Sequence, residues 1–399
     1  MIWSRRKWGS SAQRPRIGID LHVVDGIFQG SRTHCLELFS RVIELVPECD
    51  FFAFAAETER LSAFSESFSR PNVTLFPMPE RPSAVRLLWQ LPLIVRQCEL
   101  SLLHTQYIAP PIPFCATAIT VHDILFESHP EYFEKLFVYR SRLLVRSSVR
   151  RSAAVFTVSD FSRRQLCQTY SVAAEKVHTI PNGVDCARFF PGDVGNDALN
   201  ALGLRRGEYF LTVGRLEPRK NHANLLRAWA ALQAPRPLLV MIGQRHFGYT
   251  EVFSLIDDLG LKRDVRILET VSDELLPSLY RAAMGFVYCS WAEGFGMPVL
   301  EAMASGVPVI SSSNTALSEV CANAAFLVDP GKPEEIANAV TTLVLQPSTR
   351  NELVQRGLIR AKEFSWESAA QTVRRVYLGL LGLPHDGLET QSSFAAPPE

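Results

Sequence analysis

The sequence predicts an α/β protein with two domains, each containing a parallel β-sheet that helices cover on both faces. Length is the first reason, because 399 residues exceed a single ordinary core and suit two domains of common size. The second reason is a pattern of short apolar runs that alternate with segments of helical periodicity. Strands buried on both faces of a sheet give such runs, so we predict a Rossmann-like domain in each half.

The alternation is most regular in the second half, from Tyr209 onward. Six segments there predict strands: YFLTVG, LLVMIG, VRIL, GFVYCS, VPVISS and AFLV. Between them we predict helices over residues 221–233, 250–259 and 273–283, and a further helix that begins near Met297. This half therefore predicts a complete α/β domain.

The first half shows the same alternation less regularly. Seven segments predict strands: RIGIDL, FFAFAA, VTLFPM, LLHT, TAITVHD, AAVFTVS and KVHTIPNGVD. The join falls at residues 181–197, where PNGVD and PGDVGND supply turn residues. Two such domains face each other across a cleft, which is a common place for ligands. The predicted organisation is a disordered basic N-terminus at 1–15, domains at 16–190 and 191–365, a helix at 366–383 and a flexible tail at 384–399.

Composition excludes several classes of protein. With 41 basic and 41 acidic residues the chain lacks the electrostatic footprint of a nucleic-acid-binding protein. Its 8 cysteines are scattered without a CxxC pair, which predicts reduced thiols in a cytoplasmic protein. No stretch approaches the ~20 apolar residues of a membrane span. The basic N-terminus lacks the apolar core of a signal peptide, which leaves a disordered lead-in or a weak contact with an anionic membrane.

One segment, WAEGFGMPVLEAMASGVPVI at residues 291–310, carries chemistry in its spacing. It follows the strand GFVYCS, so it lies where parallel sheets collect their ligands. Pro298 suits a first helical turn, and the free N–H groups of that turn can bind an anion. Gly294 and Gly296 allow the backbone to approach that ligand closely.

The same segment contains Glu293 and Glu301, with seven residues between them. Along one helix this spacing separates two carboxylates by ~12 Å. A retaining glycosidase pair needs ~5–5.5 Å and an inverting pair ~6.5–9.5 Å. Glu293 precedes the helix, so its distance stays open, but the spacing disfavours one acid–base couple. Two contacts to an elongated ligand fit the pattern better.

A cationic element follows the first strand of the same domain, in VGRLEPRKN. Arg215 and Lys220 lie at the carboxyl end of that strand, close to the anion-binding helix terminus predicted above. Arginine binds a phosphate with a planar fork and lysine as a point charge. The two cations therefore predict a diphosphate site.

Together these two segments resemble glycosyltransferase family 4 (GT4), the retaining glycosyltransferases of GT-B fold. Glu293 and Glu301 match the E-x7-E motif of that family, and the resemblance is strongest from Tyr209 to Asp329. It implies that the C-terminal domain binds a nucleoside-diphosphate sugar, without a metal. It also implies a role for each residue of the donor site: Glu301 binds the ribose hydroxyls; Glu293 and the backbone of Gly294, Phe295, Gly296 and Met297 contact the donor sugar; Arg215 and Lys220 hold the diphosphate.

The N-terminal half adds the segment TVHDILFESHPEYF, where a buried strand meets the cleft. It resembles the segment with which many GT4 enzymes touch the transferred sugar. The resemblance thus implies a catalytic role for His122, beside Glu293. Asp123 either orients His122 or caps the next turn. We expect His104, in LLHTQY, to be structural.

The segment DGIFQGSRTH departs from the family pattern. Relatives often have a glycine pair in this loop, but here Gly30 is followed by Ser31 and Arg32. Its role in acceptor or phosphate contact is therefore open. The sequence also lacks an Asp-x-Asp metal motif, since Asp257 and Asp258 lie in a helical pattern. It has neither a P-loop nor a G-x-G-x-x-G signature.

Two further segments are candidates for acceptor contact, at residues 85–103 and 135–151. Both are apolar with spaced arginines. They are either core helices with basic outer faces or a surface that rests on anionic lipid, near a lipid-linked sugar acceptor. A last segment, FSWESAAQTVRRVYLGLL, resembles the final GT4 helix, which commonly returns to brace the N-terminal domain.

The predicted function is transfer of a hexose from a nucleoside-diphosphate sugar to a glycan or lipid-linked saccharide in surface polysaccharide synthesis. HDILFESHPEYF resembles mannosyltransferase-like members most, so GDP-mannose is the first donor hypothesis. We expect residues 270–276 to read the base. The alternatives are a UDP-sugar-dependent glucosyl- or N-acetylglucosaminyltransferase and a non-catalytic sugar-nucleotide sensor. A glycosidase is disfavoured by the spacing of the glutamates.

Overall fold

Two parallel sheets organise the protein, which we describe from a computed structural model at residues 14–25, 30–193 and 196–384. The first sheet has the order β3-β2-β1-β4-β5-β6-β7 and the second β10-β9-β8-β11-β12-β13. The strands of the first are β1 Arg16–Asp20, β2 Asp50–Ala55, β3 Val73–Pro77, β4 Leu102–Gln106, β5 Ala116–Thr120, β6 Ala154–Thr157 and β7 Val177–Thr179. Those of the second are β8 Tyr209–Val213, β9 Leu238–Ile242, β10 Val265–Leu268, β11 Gly285–Tyr288, β12 Val309–Ser312 and β13 Ala325–Val328.

The α-helices of the described residues cover the faces of both sheets. Their bounds are α1 Gly30–Leu45, α2 Glu59–Phe64, α3 Ser83–Val85, α4 Leu91–Gln97, α5 Leu125–Ser128, α6 Lys135–Arg151, α7 Asp160–Tyr170, α8 Asn196–Ala201, α9 His222–Ala231, α10 Thr250–Asp258, α11 Leu276–Ala282, α12 Met297–Ala304, α13 Thr315–Cys321, α14 Pro333–Leu345, α15 Pro347–Lys362 and α16 Trp366–Leu381. A π-helical turn, Arg86–Gln90, joins α3 to α4. None of these helices is long and apolar enough to cross a membrane.

Each sheet reverses its strand order at one point, between β1 and β4 in the first and between β8 and β11 in the second. In open α/β sheets a crevice forms at such a point, outside the carboxyl ends of the strands. The carboxyl ends of β8 and β11 lead directly to the segments that contain Arg215 and Glu293. The topology therefore places the sequence-predicted donor residues in this crevice.

All thirteen predicted strand segments contain a strand, because their buried apolar runs match the buried strands of both sheets. One expectation is wrong in detail. Gly30, Ser31 and Arg32 belong to the first turn of α1 rather than to a loop. The predicted disordered N-terminus and tail lie outside the described residues, apart from Arg14, Pro15 and Pro384.

The final helix crosses back to the first domain, as the family resemblance implies. Trp366, Ala370, Val373 and Tyr377 of α16 are buried in the same hydrophobic core as α1 and β1. The Nε of Arg374 also donates a hydrogen bond to the carbonyl of Leu45, at 2.9 Å. Burial of this apolar face therefore ties the end of the chain to the N-terminal sheet.

Candidate active site in the interdomain cleft

A cleft of about 1420 Å³ lies between the two sheets and takes residues from both. Its N-terminal wall includes His122, which follows β5, and its C-terminal wall includes Glu293, which follows β11. All the sequence-predicted site residues except Arg32 line this cleft. Arg32 is half-buried in the first turn of α1, beside Ser31.

The most charged part of the cleft is a cluster around Glu293. Its carboxylate lies 2.8 Å from Nζ of Lys220 and 2.9 Å from Nη1 of Arg219. The hydroxyl of Tyr288 donates to the same carboxylate at 3.2 Å and accepts from Lys220 at 2.6 Å. The side chains of Arg219, Lys220, Tyr288 and Glu293, which we call the loop cluster, are thus held as one network.

Glu293 is a fixed anion in this network. It is only 7% exposed, and burial alone would raise its pKa. Arg219 and Lys220 outweigh that burial and lower the pKa of Glu293 to about 2. In the loop cluster Glu293 therefore stays ionised at neutral pH, as expected of an electrostatic contact and not of a proton donor.

The turn before α9 positions the cations of the cluster. Asn221 has φ 58°, in the left-handed region, where asparagine is tolerated better than most residues. Its side-chain amide donates to the carbonyls of Cys289 and Pro330, at 3.0 and 2.7 Å. These bonds tie the turn to the segment after β11, so Arg219 and Lys220 are held against Glu293.

Arg215 differs from its neighbours because its Nη2 is buried and has no hydrogen-bond partner among the described residues. It lines the cleft at the carboxyl end of β8. A buried guanidinium nitrogen without an acceptor is costly, and a phosphate oxygen would supply one.

The other glutamate, Glu301, lies on α12, which begins at Met297 as the sequence predicts. Gly296 precedes it with φ 109°, and a Cβ there would stand 2.5 Å from Leu317. This position therefore requires glycine. The carboxylate of Glu301 accepts a hydrogen bond from the Tyr280 hydroxyl at 2.8 Å. Burial raises the pKa of Glu301, and the bond from Tyr280 only partly opposes it.

On the opposite wall, His122 is enclosed by other rings. Its imidazole packs edge-on against His34, with centroids 4.6 Å apart, and lies 5.6 Å from the ring of Tyr107. Burial lowers the pKa of His122 well below its usual value, so the ring is neutral. Its Nε2 lies 3.2 Å from the side-chain oxygen of Gln106, which fixes the plane of the ring.

Asp123 caps the next turn, which is one of the two roles proposed for it. Its Oδ1 accepts the backbone N–H of Leu125 at 3.1 Å. The residue also lies directly against the loop that contains Glu293 and Gly294, since a Cβ on Gly294 would stand 2.7 Å from the Cβ of Asp123. The structure thus brings the His122–Asp123 pair and the Glu293 loop into contact across the cleft.

Two further predicted residues have clear positions. His104 is fully buried and shares hydrogen bonds with Tyr377 at 2.6 Å and Thr120 at 2.8 Å, so it is structural as expected. Gly30 faces the C-terminal domain, because a Cβ there would stand 2.7 Å from Met297. The start of α1 therefore meets the start of α12.

Sequence reasoning missed Arg219 and Tyr288, and it missed a second cluster on the N-terminal wall. There the buried Asp20 pairs with Arg86 and lies 3.0 Å from Nδ1 of His22. The basic turn PRKN contained a signal for Arg219, but nothing in the sequence joins Asp20 to Arg86. Among the described residues, no group of three or more His, Cys, Asp or Glu is placed to hold a metal ion.

Comparison with known proteins identifies the family. Residues 28–188 match the model of Glycosyltransferase Family 4, and residues 200–360 match that of Glycosyl transferases group 1. The chain is 33% identical over 264 residues to O-antigen chain mannosyltransferase B of Escherichia coli, covering 65% of this chain and 69% of that protein. It is 32% identical over 231 residues to O-antigen chain mannosyltransferase RfbU of Salmonella typhimurium, covering 57% of this chain and 61% of that protein.

Among solved structures, the fold is similar to that of HepE from Anabaena, in complex with UDP and glucose. The TM-score is 0.71 at 20% identity, over 92% of this chain and all of that one. At this identity the likeness establishes the two-domain fold. The family resemblance drawn from the glutamate spacing and the cationic turn is therefore confirmed. The chain belongs to glycosyltransferase family 4 and is a glycosyltransferase of GT-B fold.

Proposed function

We propose that this enzyme transfers a hexose, with retention of configuration, from a nucleoside-diphosphate sugar to a glycan or lipid-linked saccharide. The observation that carries the proposal is the meeting of the loop cluster with the His122–Asp123 pair in one cleft. One wall offers fixed charges to a sugar nucleotide. The other offers a neutral imidazole to the sugar that is transferred.

The charge balance of the site favours a diphosphate. Arg219 and Lys220 carry two positive charges, and Glu217 and Glu293, which lie against them, carry two negative charges. This group is neutral as it stands. Arg215 adds a cation whose buried Nη2 has no acceptor among the described residues. A diphosphate beside Arg215 and the first turn of α12 would satisfy both the orphaned donor and the helix terminus.

Each end of the donor then has a contact of suitable chemistry. A carboxylate only accepts hydrogen bonds, so Glu301 suits the two ribose hydroxyls. Glu293 suits the hydroxyls of the donor sugar for the same reason. As the bond between the sugar and the diphosphate breaks, charge builds on the departing phosphate oxygen. Arg215 and Lys220 stabilise that charge and so lower the barrier, without a metal ion.

The two mannosyltransferase relatives support mannose as the sugar, and GDP-mannose as the donor. The O-antigen relatives also support an acceptor that belongs to a surface polysaccharide. A UDP-sugar donor is the alternative, since the HepE structure holds UDP and glucose. The segment 270–276, which lines the cleft beyond Glu301, is where we expect the base to bind.

The acceptor side carries an exposed apolar surface that supports contact with lipid. On α6, Leu136, Tyr139 and Leu143 are 78%, 67% and 56% exposed. The same helix has six basic residues and no acidic one. An apolar face with arginines beside it suits an anionic bilayer, such as the cytoplasmic leaflet.

A second exposed apolar face lies on the π-helical turn and α4. Trp89 and Leu93, just before and within α4, are 66% and 61% exposed. The loop between β4 and β5 contacts both regions. Ile108 of this loop packs against the hydrophobic core beneath α6 and against the core beneath α4, and Arg96 of α4 lies over the ring of Phe114 in the same loop. We therefore place the enzyme at the inner face of a membrane, where a lipid-linked acceptor would enter the cleft.

Vesicle sedimentation tests this placement. The protein should bind vesicles of phosphatidylglycerol but not of phosphatidylcholine, and salt should weaken the binding. The double variant Leu136→Glu/Leu143→Glu should lose it. Leu345→Glu, at a position 71% exposed on α14 of the other domain, should keep it. Equal binding by both variants, or none by the wild type, would remove the membrane from the proposal.

Thermal shifts against GDP, UDP, ADP and dTDP, each with and without magnesium, test the donor assignment. A nucleotide at about 100 times its Kd should add ~2.7 kcal/mol of stability. A shift with GDP alone supports GDP-mannose, and a shift with UDP alone moves the UDP-sugar alternative ahead. A shift that needs magnesium would contradict metal-free binding. No shift with any nucleotide would overturn the donor site.

Slow hydrolysis of the donor separates an enzyme from a sugar-nucleotide sensor. The enzyme should release free sugar from its donor, whereas a sensor should release none. The sensor is disfavoured because it has no need of His122, which is nevertheless packed and oriented by Gln106 and His34.

A further inference from the structure

The segment Glu293–Met297, which we call the donor loop, is fastened to the N-terminal domain at one helix terminus. Helix α7 follows β6 and begins at Asp160, after the N-cap residue Ser159. Ser159 is fully buried, and its Oγ accepts the backbone N–H of Ser162 at 3.1 Å. The same hydroxyl donates to the carbonyl of Gly294 at 2.8 Å, across 135 residues of sequence. One side chain thus caps a helix of the first domain and holds a peptide of the second.

A carboxylate completes the same junction from the other side. Glu319, on α13 of the C-terminal domain, accepts the backbone N–H of Asp160 and that of Phe161, each at 2.8 Å. These are first-turn donors of α7, which have no partner within the helix. A negative charge is also favourable at the positive end of a helix. The N–H groups at the start of α7 that lack a partner within the helix are therefore hydrogen-bonded mainly by a side chain of the opposite domain.

The carbonyl that Ser159 holds lies at a sensitive place. Gly294 follows Glu293 directly, and the peptide between Gly294 and Phe295 belongs to the backbone proposed to contact the donor sugar. Because a peptide is planar and trans, fixing its carbonyl also fixes the direction of the following N–H. The hydrogen bond from Ser159 thus sets the direction of the Phe295 N–H.

We propose that Ser159 and Glu319 are positioning residues, which fasten the donor loop to α7 and hold it in the geometry that transfer requires. The proposal rests on the assignment of Glu293–Met297 to the donor sugar. It adds that the N-terminal domain shapes the donor side of the site through α7 as well as through His122. The nucleotide, bound mainly by Glu301 and Arg215, should be insensitive to this junction.

Steady-state kinetics and nucleotide binding of two variants test the proposal. Ser159→Ala removes the closer of two hydroxyl donors to the Gly294 carbonyl, at 2.8 Å against 3.5 Å for Ser162. Glu319→Gln removes the charge at α7. Each should lower kcat by roughly tenfold, the size of one good buried hydrogen bond, and leave the Kd of the nucleotide within about twofold. Glu319 is only half-buried, so its variant should fold even if Ser159→Ala does not.

Two matched controls separate positioning from helix capping. Ser365→Ala removes the N-cap side chain of α16. The hydroxyl of Ser365 accepts the backbone N–H of Ser368 and does not contact the donor loop. Glu335→Gln changes a carboxylate that accepts the backbone N–H of Asp329 within one domain. Both controls should keep kcat near the wild-type value. Equal losses of kcat in the controls, or an unchanged kcat in Ser159→Ala and Glu319→Gln, would overturn the proposal.

Hydrogen exchange provides a readout that does not depend on catalysis. In Ser159→Ala and Glu319→Gln, amides of the donor loop and of the first turn of α7 should exchange faster together. They should exchange as in the wild type in both controls. If the wild type transfers no hexose at all, the proposed function fails. If only the exchange of α7 changes while that of the donor loop does not, the fastening itself is refuted.

Discussion

The two ends of the proposed donor pocket place the same residue type in opposite electrostatic surroundings. At the loop cluster, Glu293 lies between Arg219 and Lys220, and its pKa is lowered to about 2. At the other end, the Glu301 carboxylate accepts one hydrogen bond among the described residues, from Tyr280, and burial raises its pKa. Glu293 is buried in the cleft and Glu301 is partly buried there. The neighbouring charges, and not burial, make the difference.

This contrast shows how much the spacing of two glutamates can predict about a site. The spacing indicates that two carboxylates face one elongated ligand, but it does not distinguish their tasks. Glu293 is held as an anion within a network of charges, which suits the part of the site where charge changes during transfer. Glu301 has few polar contacts within the protein, which suits a carboxylate that is proposed to accept hydrogen bonds from the two hydroxyls of a ribose.

The largest expected difference between the two ends is catalytic. Glu293→Gln should lower kcat by about 100-fold or more, because it removes a fixed charge and disturbs both cations of the loop cluster. Glu301→Gln should act mainly on donor affinity. Steady-state kinetics with donor and acceptor varied separately would measure both. A loss of kcat in Glu301→Gln as large as in Glu293→Gln would erase the distinction.

The acid sensitivity of the fold should also differ, with opposite signs. The folded pKa of Glu293 lies below its ordinary value of 4.5, so its ionised form stabilises the fold above that pH. This contribution, about 3 kcal/mol from the shift to about 2, is lost as the pH falls from 4.5 toward 2. Glu301 has a raised folded pKa, so its charge destabilises the fold at neutral pH, and protonation relieves the penalty.

Urea unfolding across this pH range measures both contributions. Glu293→Gln should be less stable at neutral pH and should lose less stability on acidification than the wild type. Glu301→Gln should show the reverse change at neutral pH. Parallel pH profiles for the two variants would contradict the assigned environments.

The sequence predicted the parts of this site that lie close together along the chain. The strands were predictable because burial on both faces leaves continuous apolar runs, and α12 because Pro298 marks its first turn. Arg219, in contrast, was not distinguished from a solvated basic residue, although it is paired with Glu217 and Glu293. Its role depends on the turn that Asn221 holds against Cys289 and Pro330.

Contacts between distant segments were not predictable at all. Ser159 and Gly294 are 135 residues apart, and Asp160 and Glu319 are 159 residues apart. Neither pair has a spacing or composition that marks it, because each contact arises only when the two domains meet. The contacts of His34 are also unmarked in the sequence, although they lie within the first domain: its Nδ1 lies 2.6 Å from Asn182 and its ring packs on His122.

A smaller effect is expected at the ribose end itself. Glu301→Ala removes hydrogen bonds to a charged group worth ~1.5–3 kcal/mol each, so donor affinity should fall by roughly tenfold or more. Calorimetry with the nucleoside diphosphate measures this directly. An unchanged affinity in a folded Glu301→Ala protein would refute the ribose assignment.

The smallest effect concerns the proton on Glu301. Only the ionised carboxyl accepts hydrogen bonds from both ribose hydroxyls, so nucleotide affinity should fall as the pH drops through the raised pKa of Glu301. Glu293, with a pKa of about 2, should not contribute over this range.

Tyr280→Phe removes the one hydrogen bond that opposes the effect of burial, so it should move the loss of affinity to higher pH, by a few-fold in Kd at a given pH. Calorimetric titrations of both proteins from neutral pH down to the ordinary glutamate value of 4.5 would measure the change. Phe286, packed on the same tyrosine ring without a polar contact to Glu301, offers the control Phe286→Leu, which should leave the pH profile in place. A profile that Tyr280→Phe does not move would mean that a group other than Glu301 controls the pH dependence of binding.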